Sequence, residues 1–201
     1  MSAAAFRIVF LGPPGCGKGT QAEELVRELK VSVIGAGRLL REVAKEDSER
    51  GHAVAGHVNT GTMVPDEITV QLIREKVLKA GESGFILDGF PRHVEQAKLL
   101  GDIGLTHMLD IQVPDDVSRQ RIANRVRSDP THARADDQSP EAIQRRFNVY
   151  KQNYPPLAEY FKQLGILYPV DGVPSIPDVH QQIRNILGLP YESRHQVSVT
   201  V

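Results

Sequence analysis

The sequence predicts a three-layer α/β fold, about five parallel strands with helices on both faces. Two observations carry this expectation. Short apolar, β-branched runs recur along the 201 residues, as strands buried on both faces require. Segments of helical spacing separate them, and strand–helix alternation builds a parallel sheet through right-handed crossovers. The length is sufficient for one domain with a sizeable core.

The elements follow in order. "FRIVFL" (6–11) reads as the first buried strand. Beyond a glycine-rich turn, Ala22, Leu25, Val26 and Leu29 recur at i, i+3, i+4, i+7, one apolar face of a helix. "VSVI" (31–34) is a shorter strand, and "GFILDG" (84–89), "HMLDIQV" (107–113) and "GILYPVD" (165–171) are three more. Helical spacing covers 67–80, 93–100, 115–127 and 140–152, where Ile143, Phe147 and Tyr150 share a face. Ser139-Pro140-Glu141 opens that last helix with a capping side chain, a proline at the first position and an acid near the positive end. From Gly188 onward no period is visible, so residues 188–201 are expected to form a partly disordered tail.

Composition excludes several functions. Lys plus Arg is 24 and Asp plus Glu is 25, a net charge of −1 that argues against electrostatic binding of nucleic acid. The one cysteine, Cys16, permits no intramolecular disulfide and no multi-cysteine zinc site. The seven histidines are scattered without metal-ligand spacing. No apolar run approaches the ~18 residues that span a membrane. "MSAAAFRIVF" lacks the basic start of a signal peptide, so a cytoplasmic protein is expected.

"GPPGCGKGT" (12–20) is unusual because glycine gives up more backbone entropy on folding than any other residue. Its place between a strand and a helix explains the expense. Gly12-x₄-Gly17-Lys18 matches the phosphate-binding loop, whose backbone N–H groups wrap a phosphate at a helix N-terminus. The fold is therefore expected to be of the P-loop NTPase type, with Lys18 reaching the β- and γ-phosphates. Gly19 intervenes where the strict pattern has Ser or Thr, and Thr20 follows. "GFILDGFPR" (84–92) adds a carboxylate, Asp88, at a strand end, able to hold hydrated Mg²⁺. Gly89 permits close approach of a ligand, Arg92 offers a planar fork for phosphate, and Gln96 lies one helical turn beyond.

Through these segments the sequence resembles the nucleoside monophosphate kinases, most closely the adenylate kinases with a short lid. "LLREVA" (39–44), "GTMVPDEI" (61–68), "RIANR" (121–125), "RADD" (134–137) and "RRFNVYKQNYPPL" (145–157) carry the likeness further, from residue 6 to about 187. The resemblance implies reversible transfer of the γ-phosphoryl of Mg·ATP to a nucleoside monophosphate. It also implies one domain over 1–187, with a helical monophosphate-binding insert (about 35–64) and a lid (about 125–136). By position, ATP phosphates fall on Gly15, Cys16, Gly17, Lys18, Gly19 and Thr20. Pro174 takes the adenine side of ATP. The acceptor's phosphate falls on Arg41 and Arg92. Its base falls on Ala36, the backbone of Thr62, Met63 and Val64, and Gln96, beside Gly89, Phe90 and Pro91. Arg125 resembles the lid arginine on ATP, and Arg134 and Arg146 those spanning the transferred group. Asp136 and Asp137 would orient the lid arginines. The family is usually monomeric. Phosphoryl transfer needs charge stabilisation and in-line positioning more than covalent help, which this cationic set supplies.

Two departures bear on the acceptor. Gly35-Ala36-Gly37-Arg38 stands where adenylate kinases commonly have Ser-Thr-Gly-Asp, and Ala36 is the residue typical of uridylate/cytidylate kinases. Gln96 favours adenine, because an amide pairs with the 6-amino group and a ring nitrogen by the donor/acceptor logic known from nucleic acids. AMP is the expected acceptor, with UMP or CMP as the alternative and a non-catalytic nucleotide-binding module as the other. Only eight residues lie between Arg125 and Arg134, so the longer lid that can carry zinc is absent.

Overall fold

A computed structural model describes residues 5–60, 63–101, 103–128 and 139–190, with Thr60 and Glu82 described in their backbone only. Five strands form one sheet: β1 (Arg7–Leu11), β2 (Ser32–Gly35), β3 (Phe85–Asp88), β4 (His107–Gln112) and β5 (Leu167–Asp171). Their order is β2-β3-β1-β4-β5 and every pair is parallel. The register sets Val9 beside Leu87 on one side and Met108 on the other. β1 is thus central, and the loop that follows it leaves the sheet at the point where the strand order reverses, the crevice where open α/β sheets bind ligands.

The pleat divides the core in two. Val9, Leu11, Phe85, Leu87 and Met108 face one layer of helices, and Ile8, Phe10, Ile86, Leu109 and Ile111 face the other. Successive side chains on a strand point to opposite faces, so both faces must be apolar if both are covered. α1 (Lys18–Leu29) and α8 (Ile176–Ile186) cover the second face. The first is covered by α2 (Ala36–Val43), α3 (Glu49–Thr60), α4 (Asp66–Ala80), α5 (Val94–Leu100) and α7 (Pro140–Gln163). α6 (Asp115–Ser128) follows β4. Between β2 and α4 the chain makes two helices, α2 and α3, in the segment expected to hold the acceptor.

Two elements differ from the sequence reading. The helix expected over 140–152 continues to Gln163, through Pro155 and Pro156. Those prolines remove the amides that would bond the carbonyls of Lys151 and Gln152. Both of those residues are exposed, so water can satisfy the carbonyls. Burial of Leu157 and Phe161 holds the second half against the core, and tertiary packing outweighs the local penalty. α8 was not singled out, because its buried face includes His180 and Arg184 beside Val179 and Ile183 and so does not read as an apolar stripe. Ser175 caps it, accepting from the backbone N–H of Asp178. Of the expected tail, Leu189 packs on the core and the Pro190 carbonyl accepts from Arg184; residues 191–201 lie outside the described residues.

Candidate active site

The glycine loop runs from β1 into α1 with Gly15 at φ +84° and Gly17 at φ +106°. A side chain at either position would be strained by its backbone alone. Gly15 is also in close contact with α6: a Cβ there would lie 2.5 Å from the Ser118 carbonyl oxygen. Gly19, by contrast, has helical backbone and open space beside it, so neither strain nor packing demands glycine there. Lys18 Nζ donates to the carbonyls of Gly12 (2.6 Å) and Pro13 (2.9 Å) and lies 3.4 Å from Cys16 Sγ. The ammonium therefore sits in the mouth of the loop, and Cys16 is buried beneath it.

A cavity of about 400 Å³ opens above this loop. Pro14 and every loop residue from Gly15 to Thr20 line it, with Asp88 and Gly89 from the end of β3. Arg125 of α6 and Arg146 of α7 enter from the sides, and Gly172 and Pro174 close it after β5. The structure thus gathers Lys18, Arg125, Arg146, Asp88 and Pro174 around one space, from segments up to 156 residues apart.

Sequence reasoning missed one further cation. Arg121 also lines the cavity; it donates to the carbonyls of Cys16 (3.3 Å) and Val173 (3.1 Å), fastening the glycine loop to the segment after β5. Its signal was the i, i+4 spacing with Arg125, which places both on one face of α6. Gln21 was missed as well. Its amide N–H donates to the Ile176 carbonyl at 3.1 Å, while its oxygen faces His180 Nδ1 at 3.3 Å. His180 and Arg184 both meet Glu28, so a buried polar network locks α1 to α8 behind the cavity.

Among the described residues four cations and one carboxylate line this cavity, an electrostatic environment made for a polyanion. Asp88 suits a hydrated Mg²⁺ brought in on phosphates, because that ion takes one or two carboxylates and keeps several waters. Among the described residues no cluster of three or more His, Cys, Asp or Glu could hold a metal without such help.

The expected acceptor residues lie on the α2 side of the sheet. Ala36, Val64, Phe90 and Pro91 are buried, Met63 is exposed, and the Phe90–Pro91 peptide is cis. Arg41 is exposed on α2 with its guanidinium beside Gly37, which leaves no room for a larger residue without movement. Arg92 is exposed; its Nε donates to the Gly89 carbonyl at 3.0 Å. Arg38, outside this set, is exposed and donates to the Val33 carbonyl at 2.8 Å. Gln96 is 3% exposed and already holds two partners: its N–H donates to Asp66 at 2.7 Å and its oxygen accepts from the Arg92 amide at 2.8 Å. Thr62, Arg134, Asp136 and Asp137, with most of the expected lid, lie outside the described residues.

Near the cavity's α7 wall, Asp110 is buried on β4 and accepts from Tyr154 Oη (2.8 Å) and Gln112 (3.0 Å). Burial, reinforced by the Asp110 charge, pushes Tyr150 well above the usual phenol range. Burial, then the bond to Asp110, pushes Tyr154 up to about 12. Both remain neutral at physiological pH, and Tyr154 donates its hydrogen bond to Asp110.

The family model described as "Adenylate kinase" matches residues 10–166, well over half of the chain. The chain belongs to the adenylate kinase family. It is 39% identical over 184 residues to the adenylate kinase of Deinococcus deserti, covering 88% of this chain and 93% of that one. It is 35% identical over 189 residues to adenylate kinase 1 of a Nostoc species (90% and 98% covered). With the adenylate kinase of Archaeoglobus fulgidus it shares 32% over 210 residues (90% and 97% covered). The chain is accordingly a phosphotransferase with adenylate kinase function. The matched span takes in the glycine loop, Asp88, Arg92, Gln96, Arg121, Arg125 and Arg146. Pro174 and α8 lie beyond it.

Proposed function

We propose that the cavity above the glycine loop binds Mg·ATP, and that AMP is the preferred acceptor on the α2 side of Asp88 and Gly89. The observation that carries this reading is the convergence of the loop, Lys18, Arg121, Arg125 and Arg146 on one cavity with Asp88 as its carboxylate. An oxygen of the AMP phosphate attacks the γ-phosphorus in line while the bond to the β–γ bridging oxygen breaks, giving two ADP. Lys18, Arg125 and Arg146, joined by Arg134, offset the charge spreading over the transferred group. Arg41 and Arg92 hold the acceptor phosphate. Gln96 reads the base, which also meets Ala36 and the backbone of Thr62 to Val64. Asp88 would hold hydrated Mg²⁺, which would supply further positive charge beside the phosphates. Closure of the insert (35–64) and lid (125–136) excludes water, which would otherwise take the phosphoryl group.

We further propose that the chain acts as a cytoplasmic monomer without nucleic-acid or membrane partners. The near-zero net charge argues against an electrostatic nucleic-acid partner; among the described residues no helix is long and apolar enough to cross a membrane. The deciding experiment measures ADP formation from Mg·ATP with AMP, UMP, CMP, GMP and dTMP in parallel. Clear preference for AMP is expected. Preference for UMP or CMP would make Ala36 the better guide to the acceptor than Gln96.

A further inference from the structure

Gln96 and Asp66 are 30 residues apart in sequence, yet Gln96 Nε2 donates to Asp66 Oδ1 at 2.7 Å. The other amide atom, Oε1, accepts from the Arg92 backbone N–H at 2.8 Å. A carboxylate can only accept and a backbone N–H can only donate, so these two partners admit one orientation of the amide. A flip would set oxygen against carboxylate and N–H against N–H. Asp66 is itself fixed: it is the first residue of α4, its side chain is 25% exposed, and its second oxygen lies 3.2 Å from His93 Nε2. His93 in turn meets Glu95 through Nδ1 at 3.0 Å.

We infer that Asp66 is a specificity-determining positioning residue, which locks the Gln96 amide so that the acceptor site takes a 6-aminopurine and refuses a 6-oxopurine. This rests on the reading of Gln96 as the group that meets the acceptor's base. Among the described residues, the amide has one N–H and one lone pair left after Asp66 and Arg92 are satisfied, the complement a bidentate pair with a base requires. Adenine presents a donor at its 6-amino group and an acceptor at N1. A 6-oxopurine reverses both, with an acceptor at C6 and a donor at N1. A freely rotating glutamine could serve either by turning over. The Asp66 carboxylate and the Arg92 N–H together remove that option, because turning over would face two oxygens at Asp66 and two N–H groups at Arg92, and Asp66 is the side chain of this pair. Discrimination at the 6-position therefore comes from a residue that does not touch the base.

The test compares kcat/KM for AMP and IMP, with ATP saturating, in the wild-type full chain and in Asp66→Asn, Asp66→Glu and Gln96→Leu. Asparagine keeps the shape of Asp66 but donates as well as accepts, so it removes the carboxylate's share of the penalty for turning Gln96 over and leaves only that of the Arg92 N–H. The expected result for Asp66→Asn is at least a tenfold fall in the AMP-to-IMP ratio, arising mainly from improved use of IMP, with the KM for ATP unchanged. Asp66→Glu, which restores an acceptor-only group, is expected to recover part of the ratio. A ratio within twofold of wild type in Asp66→Asn, while Gln96→Leu abolishes it, overturns the lock and leaves Gln96 as the base reader. A wild-type ratio in Gln96→Leu overturns both, since Gln96 then serves only to cap α5. A parallel loss of activity on both nucleotides in Asp66→Asn, at constant ratio, shows a merely structural role and also overturns the proposal.

Discussion

Replacing Gly15, Gly17 and Gly19 one at a time by alanine separates three reasons for which a loop uses glycine. At Gly15 two costs combine. The backbone lies at φ +84°, where an L side chain costs about 1–2 kcal/mol. The new Cβ would also stand 2.5 Å from the Ser118 carbonyl oxygen and 2.9 Å from Ile122 Cγ1, both on α6. Ordinary contact begins near 3.4 Å, so loop and helix must part by roughly an ångström, an overpacking cost of about 1–3 kcal/mol. The sum is about 2–5 kcal/mol, or a fall in Tm of roughly 5–15 °C for a domain of this size. Because α6 also carries Arg121 and Arg125 into the cavity, ATP affinity should fall with it. Gly17→Ala meets nothing within 4 Å and bears only the strain of φ +106°. Gly19→Ala has neither problem, and alanine in a helix is favoured by about 0.5–1 kcal/mol. Its methyl group is instead added in open space at a position that lines the cavity. Gly19→Ala should therefore match or exceed wild type in thermal stability while losing ATP affinity in titration calorimetry. Normal ATP binding by that variant would refute the view that the backbone itself must touch the phosphates. Wild-type stability of Gly15→Ala would refute the packing of loop on α6.

Three further outcomes are expected. Lys18→Ala should lower kcat by about a thousandfold or more, in keeping with loss of a charge aimed at the reacting group, with an unchanged circular dichroism spectrum; turnover near normal would sink the assignment of the loop. Arg121→Ala removes the strap from Cys16 to Val173 and one of four cavity cations; steady-state kinetics should show a rise in KM for ATP of roughly ten- to hundredfold, with the KM for AMP nearly constant, and equal rises for both would place Arg121 elsewhere. Tyr154, pushed up to about 12, binds its proton more tightly folded than unfolded. Its contribution to stability is complete below pH 10, the ordinary phenol value, and is lost as pH rises through 12. Thermal melts should fall steeply above pH 10, and Tyr150→Phe combined with Tyr154→Phe should flatten that fall relative to wild type; parallel curves would show that these phenols are not the groups titrating.

How much of this was legible depended on what each feature requires. β1, β3 and β4 carry apolar residues on both faces because both faces are covered, and such runs are visible to any reader of the sequence. The glycine loop is visible because its demand is local: strained φ at Gly15 and Gly17, with a lysine directly after. Asp88 and Pro174 were legible by position, and the structure sets both at the cavity. Arg121 was not singled out, since nothing local distinguishes an arginine that crosses to Cys16 and Val173 from one that points to water. The extension of α7 past Pro155 was illegible for the opposite reason: local chemistry argues for a stop, and the burial of Leu157 and Phe161 overrides it.

The sequence by itself determined the alternation of strand and helix, the glycine-rich loop between β1 and α1, and the cationic character of the residues around it. Each of these follows from spacing along the chain or from the backbone freedom of single residues. Tertiary structure alone decided the strand order that places β1 at the centre, the choice of which arginines reach the cavity, and the pairing of Asp66 with Gln96. These depend on contacts between residues tens to more than a hundred positions apart, which exist only once the sheet has closed and its helices have packed against it.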